Sequence, residues 1–309
     1  MKVSVAMTTY NGELYLIEQL DSLREQEMKI DQLVICDDGS KDDTVKIVNE
    51  YISKYNLEDS WQIIQNEKNL GYADNFHKAA SLCNGDYIFF ADQDDIWKAD
   101  KIKNMVSIME SNHDIKLLYS DYEPYYCTDD APVLTKDVVD KMTGDKSVVK
   151  QDLNTWSIYI RSEGCTMCFR KTFWDRIQKY WFSGWAHDEF VWKLALCEDG
   201  LYTYHESTMK RRLHSNNVSK RKLRDLGKRI DYSKKLKESH IKMLEYANDL
   251  KLSQDVNKLI QKNIECIDLR IQMMENKKLL NIFPLIFKYA RYYYSKKSIP
   301  TEFYMALKG

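Results

Sequence analysis

The chain has 309 residues, of which 44% are hydrophobic and 30% are charged, and its 46 basic and 47 acidic side chains leave a formal charge of −1. This composition is that of a globular protein with enough apolar residues for a core, which excludes a collagen-like, low-complexity or disordered chain. The near-zero charge gives no support to nucleic acid as a partner. The sequence has no apolar run of about 18 residues and no signal-peptide pattern after Met1, so we expect a cytoplasmic protein.

Strand-like and helix-like segments alternate through the first third of the chain. Each short apolar run is followed by apolar residues at helical spacing. This alternation predicts βαβ units around a mostly parallel sheet that helices cover on both faces. The predicted strands are Val3–Met7, Gln32–Cys36, Trp61–Ile64 and Asp86–Ala91, and the predicted helices include residues 16–23, 45–52, 73–83 and 102–109.

The remainder of the chain changes character along its length. Lys116–Ser120 has the pattern of a further strand, whereas residues 123–151 are polar and predict an irregular segment over the site. Residues 153–214 are rich in Trp, Tyr, Cys and Met. Residues 216–309 are basic and mostly helical by pattern.

The seven cysteines are an odd number scattered through a long chain, which argues against a disulfide framework. Cys165 and Cys168 have the CxxC spacing of zinc and redox sites. No second cysteine pair or spaced histidine pair completes a tetrahedral zinc site. We therefore expect reduced, buried, structural cysteines.

Two aspartates follow the fourth predicted strand. Side chains at alternate positions of an extended segment point the same way, so Asp92 and Asp94 can face one ion. Carboxylate oxygens favour Mg²⁺ or Mn²⁺, ions that also bind a substrate's phosphates. The alternative is a solvated acidic turn that caps the next helix.

Polar clusters also end the first two predicted strands, at Thr8–Gly12 and Asp37–Ser40. Carboxyl ends of parallel strands meet at one edge of the sheet, where ligands bind. The residues that could hold a base and ribose there are Thr9, Asn11, Asp37 and Asp38, although Asp and Gly are also ordinary turn residues. The sequence has no GxGxxG and no P-loop, so a dinucleotide cofactor and P-loop chemistry are not supported.

Two further clusters lie near the end of the aromatic-rich segment. A carboxylate in His187-Asp188-Glu189 can act as a general base, although for this segment in isolation an acidic pair that stabilises a helix N-terminus is the more common arrangement. The segment Lys210–His214 offers donors for phosphate oxygens, or forms a solvated basic loop.

In their order along the chain, these motifs resemble those of the family 2 inverting glycosyltransferases with the GT-A fold, in particular the bacterial rhamnosyltransferase-like branch. The resemblance implies an α/β fold with a Rossmann-like, mostly parallel sheet flanked by helices and a C-terminal helical extension. It covers residues 1–217, with a nucleotide-sugar-binding half (1–115) and an acceptor half (116–217), and leaves 218–309 as the C-terminal helical region. The motifs are Thr8–Gly12, Asp37–Ser40, Asn69–Gly71, Asp92–Trp97, Gly164–Met167, His187–Asp188 and Arg212–Asn217.

The resemblance also implies a role for individual residues. Asp188 would be the catalytic base, and many relatives have Glu before this Asp, which leaves open whether His187 and Glu189 tune it. Asp94 and His214 would contact a Mn²⁺ or Mg²⁺ ion, with Asp95 nearby. The residues expected to bind the nucleotide sugar are Thr9, Tyr10, Asn11, Asp38, Asn75, Asp92 and Arg212.

The implied reaction is metal-dependent transfer of a sugar, with inversion, from dTDP-rhamnose to a hydroxyl of a cell-surface or capsular polysaccharide or a lipid-linked glycan. A UDP-hexose donor carrying glucose or galactose is an open alternative, and so is a non-catalytic nucleotide-sugar-binding partner protein. An aspartyl phosphotransferase would have its Asp pair at the first strand with a downstream Lys, whereas this pair follows the fourth strand.

The C-terminal region combines basic and apolar side chains. A basic cluster spans 220–229, and Ile282–Phe287 is followed by several Tyr and Lys residues. This mixture is typical of a helix on the inner face of an anionic plasma membrane. Helices that pack on the catalytic domain or form a homo-oligomer are an equal alternative.

Overall fold

The structure, a computed structural model, describes residues 1–214 and 225–308. This part of the chain contains nine strands and eleven α-helices. The strands are β1 (Val3–Thr9), β2 (Gln32–Asp37), β3 (Trp61–Gln65), β4 (Tyr87–Ala91), β5 (Ile96–Trp97), β6 (Leu117–Tyr126), β7 (Val148–Lys150), β8 (Met167–Arg170) and β9 (Leu201–Leu213). The helices are α1 (Leu16–Arg24), α2 (Thr44–Lys54), α3 (Tyr72–Ser81), α4 (Lys101–Ser111), α5 (Lys136–Val139), α6 (Lys171–Ile177), α7 (His187–Cys197), α8 (Leu226–Asp249), α9 (Gln254–Glu275), α10 (Ile282–Phe287) and α11 (Ser298–Lys308).

One mixed, mostly parallel sheet organises the first two thirds of the chain. Its order is β3-β2-β1-β4-β8-β6-β9, and β5 and β7 pair with the outer edge of β9. Strands β1 to β4 run parallel, while β8 runs antiparallel to both β4 and β6. Thr9 pairs with Asp37 and Met7 with Ala91, so the carboxyl ends of β1, β2 and β4 meet at one edge. The polar clusters predicted to converge do lie at this edge.

Helices cover both faces of the sheet, as the apolar strand sequences predict. Residues 3, 5 and 7 of β1 face a core formed with α1, α2 and α4. Ala6 faces a second core, formed with α3, α6 and α7. The side chains of alternate strand positions therefore enter opposite cores, which fixes the register of the sheet. The α/β fold with a C-terminal helical extension is confirmed.

Residues 123–151 are more regular than predicted. Strand β6 continues through Tyr126, and α5 and β7 follow within the segment expected to be irregular. The long strand β9 was not anticipated either, because its sequence contains charged residues on both faces. Pairing with β6 along its length and with β5 and β7 supplies its backbone hydrogen bonds.

The C-terminal helices α8 and α9 pack on the sheet domain. Leu236 and Met243 of α8 belong to the same buried core as Trp192 and Leu196 of α7. At the far side of α9, the buried carboxylate of Glu302 in α11 accepts hydrogen bonds from Arg270 at 3.0 and 2.7 Å. The structure thus shows α8 and α9 packed on the catalytic domain.

Three expectations fall partly or wholly outside the described residues. These are the boundary between 217 and 218, the end of the motif Arg212–Asn217, and residues 220–224 of the basic cluster. The division into a nucleotide-sugar half and an acceptor half stays a prediction. All seven cysteines lie within the described residues and are free thiols, as predicted, and six of them are buried. Within residues 1–214 and 225–308, no helix combines the length and apolar character needed to cross a bilayer.

Candidate active site

A cavity of about 440 Å³ opens beside the carboxyl end of β2. Its lining includes the half-exposed ring of Tyr10, the carboxylate of Asp38, and the side chains of Lys41 and Asn69. An aromatic face, a cation and several amides suit a polar, planar ligand with hydroxyl groups. Tyr10 and Asp38, two residues predicted to bind a nucleotide, thus line one cavity.

The carboxylate of Asp38 also builds the wall of this cavity. It accepts hydrogen bonds from the backbone N–H groups of Leu70 and Gly71 at 2.7 and 2.8 Å, and from Asn66 Nδ2 at 2.9 Å. Gly71 has φ of +81°, a conformation that favours glycine. The Asn69–Gly71 motif is therefore a turn that Asp38 holds in place.

Three other predicted residues bond to the loops around this cavity but do not line it. Thr9 is buried and its Oγ1 donates to Asp37 Oδ2 at 3.0 Å. Asn11 adopts φ of +48°, and its Oδ1 accepts from the N–H of Lys41 at 2.8 Å. The amide of the buried Asn75 donates to the Cys36 carbonyl at 2.8 Å. These contacts fix the loops around the cavity, and the cavity lining does not include Asn75.

The acidic cluster after β4 contains three aspartates. Asp95 is buried, its Oδ1 accepts from the N–H of Arg212 at 3.0 Å, and its Oδ2 has no hydrogen-bond partner among the described residues. Burial and the charge of Asp94 raise the pKa of Asp92 to about 6. Burial and the charges of Asp94 and Asp92 raise the pKa of Asp95 well above its usual value. A cation in this cluster would relieve the repulsion.

Three residues near these aspartates were assigned no individual role in the site by the sequence. The Sγ of Cys165 lies within 4.8 Å of carboxylate oxygens of Asp92 and Asp95. Burial keeps the Cys165 thiol protonated by raising its pKa. Buried Lys101 donates to the Cys165 carbonyl at 2.7 Å, and Arg211 lowers the pKa of Asp92 by its charge. The motif Gly164–Met167 was the available signal for Cys165, whereas nothing local in the sequence marks Lys101.

The two residues expected to contact a metal ion lie side by side. Asp94 Oδ2 and His214 Nε2 are 2.8 Å apart. The imidazole of His214 also packs on the Tyr15 ring, with 5.5 Å between centroids. The structure therefore brings Asp94 and His214 together across 120 residues of sequence.

Arg212 connects the acidic loop to α1. Its Nε donates to the Asp94 carbonyl at 2.7 Å, and its guanidinium pairs with Glu18. The guanidinium also lies 4.2 Å from the centroid of Tyr15. In this structure Arg212 positions the loop that carries the aspartates.

Asp188 lies in the first turn of α7, and its Oδ1 accepts the N–H of Glu189 at 2.8 Å. The pKa of Asp188 is raised to about 7, mainly by burial and in part by the charges of Glu189, Asp92 and Glu163, while the hydrogen bond from the Glu189 N–H lowers it. A carboxylate with this pKa can accept a proton near neutral pH. The influence of Asp92 also places Asp188 near the acidic cluster.

His187 anchors the start of α7 instead of titrating. Its ring stacks on Phe76 at 3.8 Å between centroids and meets Phe90 edge-on at 4.7 Å. Neither ring nitrogen has a hydrogen-bond partner within the described part of the chain. Burial lowers the pKa of His187 to about 3, so the imidazole is neutral at physiological pH.

Glu189 connects α7 to the C-terminal helices through a buried lysine. Lys193 Nζ lies 2.7 Å from Glu189 Oε1 and donates to Ser239 Oγ of α8 at 2.6 Å. The C-terminal region therefore contacts the helix that begins with Asp188.

Comparison with known proteins identifies the family of the chain. The model of glycosyl transferase family 2 matches residues 4–177. The dTDP-rhamnosyl transferase RfbG of Shigella flexneri is 31% identical over 223 residues, which cover 68% of this chain and 72% of RfbG. The match to the family model includes the residues that line the cavity and the three aspartates of the acidic cluster.

Solved structures agree on the fold. TarS 1–349 of Staphylococcus aureus, in complex with UDP-GlcNAc, superposes with a TM-score of 0.68 at 17% identity, over 99% of this chain and 90% of TarS 1–349. The mannosyltransferase PcManGT of Pyrobaculum calidifontis, in complex with GDP-Man and Mn²⁺, has a TM-score of 0.56 at 13% identity, over 99% and 87% of the two chains. The chain therefore belongs to glycosyl transferase family 2 and is a glycosyltransferase with the GT-A fold.

Proposed function

We propose that this chain transfers a sugar from a nucleoside diphosphate donor to a hydroxyl of a glycan, with inversion at the anomeric carbon. One observation carries the proposal: Asp188, whose pKa is raised to about 7, lies close enough to the acidic cluster for the charge of Asp92 to contribute to that shift. Asp188 can remove a proton from an acceptor, and the acidic cluster can bind a cation that also contacts a diphosphate. The cavity beside Asp38 then accommodates the base and ribose.

The proposed reaction is a single displacement. The acceptor hydroxyl gives its proton to a carboxylate oxygen of Asp188 while its oxygen bonds to the anomeric carbon. The bond between that carbon and the diphosphate oxygen breaks, and the electron pair leaves with the nucleoside diphosphate. Attack from the face opposite the leaving group inverts the configuration, so no covalent enzyme intermediate forms.

The acidic cluster fits a hard divalent cation, Mn²⁺ or Mg²⁺. Asp95 Oδ2 is buried without a partner among the described residues, and the charges of Asp94 and Asp92 help to keep the pKa of Asp95 well above its usual value. Asp94 and His214 would hold the ion, with Asp92 and Asp95 as neighbouring carboxylates. Such an ion supplies positive charge to the diphosphate as its negative charge grows.

The donor we favour is dTDP-rhamnose, because the RfbG alignment spans more than two thirds of both proteins. UDP-glucose and UDP-galactose are the competing donors, and a non-catalytic nucleotide-sugar-binding protein is the competing class. The discriminating experiment measures nucleoside diphosphate release from each donor with Mn²⁺, Mg²⁺ or chelator. Release from dTDP-rhamnose alone supports our assignment, release from a UDP-hexose replaces it, and donor binding without release favours the non-catalytic class.

We further propose that the protein works at the inner face of a membrane, on a polysaccharide or lipid-linked acceptor. Phe283 and Phe287 of α10 are 56% and 82% exposed. A cavity of about 270 Å³ next to α10 is lined by basic residues that include Lys258, Lys288 and Arg291. Exposed aromatics beside cations match an anionic lipid surface. The alternative is that the same face forms a homo-oligomer, and vesicle sedimentation together with the oligomer mass distinguishes the two.

A further inference from the structure

A strip of half-exposed aromatic side chains leads away from Asp188. It consists of Tyr72, Tyr232, Tyr294 and Trp156, which are 51%, 49%, 60% and 42% exposed. Tyr72 and Trp156 come from the sheet domain, whereas Tyr232 comes from α8 and Tyr294 from the segment before α11. Exposed apolar surface concentrated at one place usually marks a binding surface.

The strip begins at the proposed base. The Tyr72 ring meets the His187 ring edge-on, with 6.3 Å between centroids. Burial of its hydroxyl raises the pKa of Tyr72, and the charges of Asp188 and Glu189 raise it further. Tyr72 therefore lies beside the carboxylate that would receive the acceptor's proton.

Tyr232 continues the strip from the other side. The pKa of its hydroxyl is raised first by burial and then by the charge of Glu189, and both Tyr294 and Tyr72 also contribute. Tyr232 therefore lies within electrostatic range of Glu189 in the first turn of α7 and of the hydroxyls of Tyr294 and Tyr72. Helix α8, which bonds to Lys193 of α7 through Ser239, thus contributes an exposed ring near the first turn of α7.

An arginine fixes the far end of the strip. The Arg161 guanidinium lies 4.4 Å from the ring centroid of Trp156 and 4.3 Å from that of Tyr294. Tyr294 also meets Tyr159 edge-on, with 5.8 Å between ring centroids. The orientation of these exposed rings is therefore set before any ligand arrives, which lowers the entropic cost of binding.

The chemistry of the strip matches a sugar chain. The face of a pyranose ring presents C–H groups that pack on a flat aromatic ring, while its hydroxyls point outward to charged and polar side chains. The strip offers flat rings in sequence, with Glu189 at one end and Arg161 at the other. The donor cavity, by contrast, lies at the end of β2 and has Tyr10 as its aromatic residue.

We infer that this strip binds the sugar chain of the acceptor and that the C-terminal helices form one side of the acceptor site. The inference rests on the proposed function, because only a glycosyltransferase has an acceptor. Sugar binding at the strip can nevertheless be tested without measuring transfer. It assigns a role to Tyr232 and Tyr294, in the region that the family model does not cover.

Saturation-transfer NMR tests the inference with three defined probes: methyl α-L-rhamnopyranoside, methyl N-acetyl-β-D-glucosaminide and methyl β-D-galactopyranoside. We expect at least one to bind the wild-type protein. Tyr232→Ala and Tyr294→Ala should each weaken that binding by about three- to ten-fold, as loss of one aromatic contact implies. Tyr232→Phe, which keeps the ring, should retain it.

The matched control is Tyr304→Ala, because Tyr304 is 55% exposed on α11 and outside the strip. It should bind the probe as the wild type does. The inference is overturned if no probe binds the wild type, or if both alanine variants, folded by circular dichroism, bind like Tyr304→Ala. A separate experiment detects failure of the proposed function: the wild-type protein would then release no nucleoside diphosphate from any donor.

Discussion

Gly164 lies directly against the imidazole of His187. A Cβ atom added to Gly164 would approach His187 Nε2 to 2.4 Å and the Cβ of Asp188 to 3.4 Å. His187 in turn packs on Phe76 and Phe90, so it has no free direction in which to move. The absence of a side chain at position 164 therefore sets the position of α7 and of Asp188.

Replacing Gly164 by alanine should displace the start of α7. We expect a destabilisation of about 1–3 kcal/mol from overpacking and a reduced kcat for nucleoside diphosphate release. Chemical denaturation and steady-state kinetics measure the two effects. Gly227→Ala, at an exposed position in the first turn of α8, is the control. Wild-type stability and kcat in the Gly164 variant would contradict the packing argument.

The pH dependence of turnover should report Asp188. Burial raises its pKa to about 7, and the base must be ionised to accept a proton, so kcat/KM should rise with pH through about 7 and level off above it. The raised pKa also means that the folded state holds this proton more tightly than the unfolded state. The contribution of Asp188 to folding stability is therefore lost as pH rises from about 4 to 7. A kcat/KM that is flat between pH 5.5 and 8 would exclude this assignment.

Substitution of Asp94 by alanine should weaken donor binding only when metal is present. Asp94 belongs to the acidic cluster and its carboxylate is paired with His214, so its loss removes a proposed ligand for the ion. We expect about 10- to 100-fold weaker donor affinity with Mn²⁺ in calorimetric titration, and little change in chelator. Asp86→Ala, an exposed aspartate at the opposite end of β4, is the matched control. Equal donor affinity of Asp94→Ala and wild type in Mn²⁺ would rule out Asp94 as a ligand.

The α10 face should determine membrane binding. Phe283→Ser combined with Phe287→Ser removes two exposed rings without touching the buried Leu285. We expect the double variant to lose sedimentation with phosphatidylglycerol vesicles, while Leu82→Ser, at the end of α3, keeps it. Wild-type protein should not sediment with phosphatidylcholine vesicles. The face is a protein interface instead if the wild-type protein sediments with neither kind of vesicle and the double variant forms a smaller oligomer than the wild type.

Local sequence patterns predicted the parts of the molecule that depend on local chemistry. The apolar runs of β1, β2 and β4 are buried, and Asp92 and Asp94 follow β4 at the edge where a parallel sheet binds ligands. The convergence of the polar clusters followed from the topology of parallel strands alone.

Other features depend on partners that are distant in sequence. Strand β9 contains Arg211 and Arg212, whose burial is compensated by Glu163 and Glu18. Asn75 was expected to bind the nucleotide sugar, and in the structure its side-chain amide donates to the Cys36 carbonyl. No spacing rule connects such pairs, so the sequence could not predict them. The neutral state of His187 likewise depends on Phe76 and Phe90, which come from other elements.

Replacing Asp188 by asparagine is the most direct test of the central claim, because the change removes the base and preserves the shape of the side chain. Donor affinity, measured by calorimetry with Mn²⁺, should stay close to the wild-type value, since the cavity beside Asp38 and the acidic cluster are untouched. Turnover of the same donor should fall by about 10²- to 10⁴-fold. Undiminished turnover in a folded Asp188→Asn variant would contradict the assignment of Asp188 as the catalytic base.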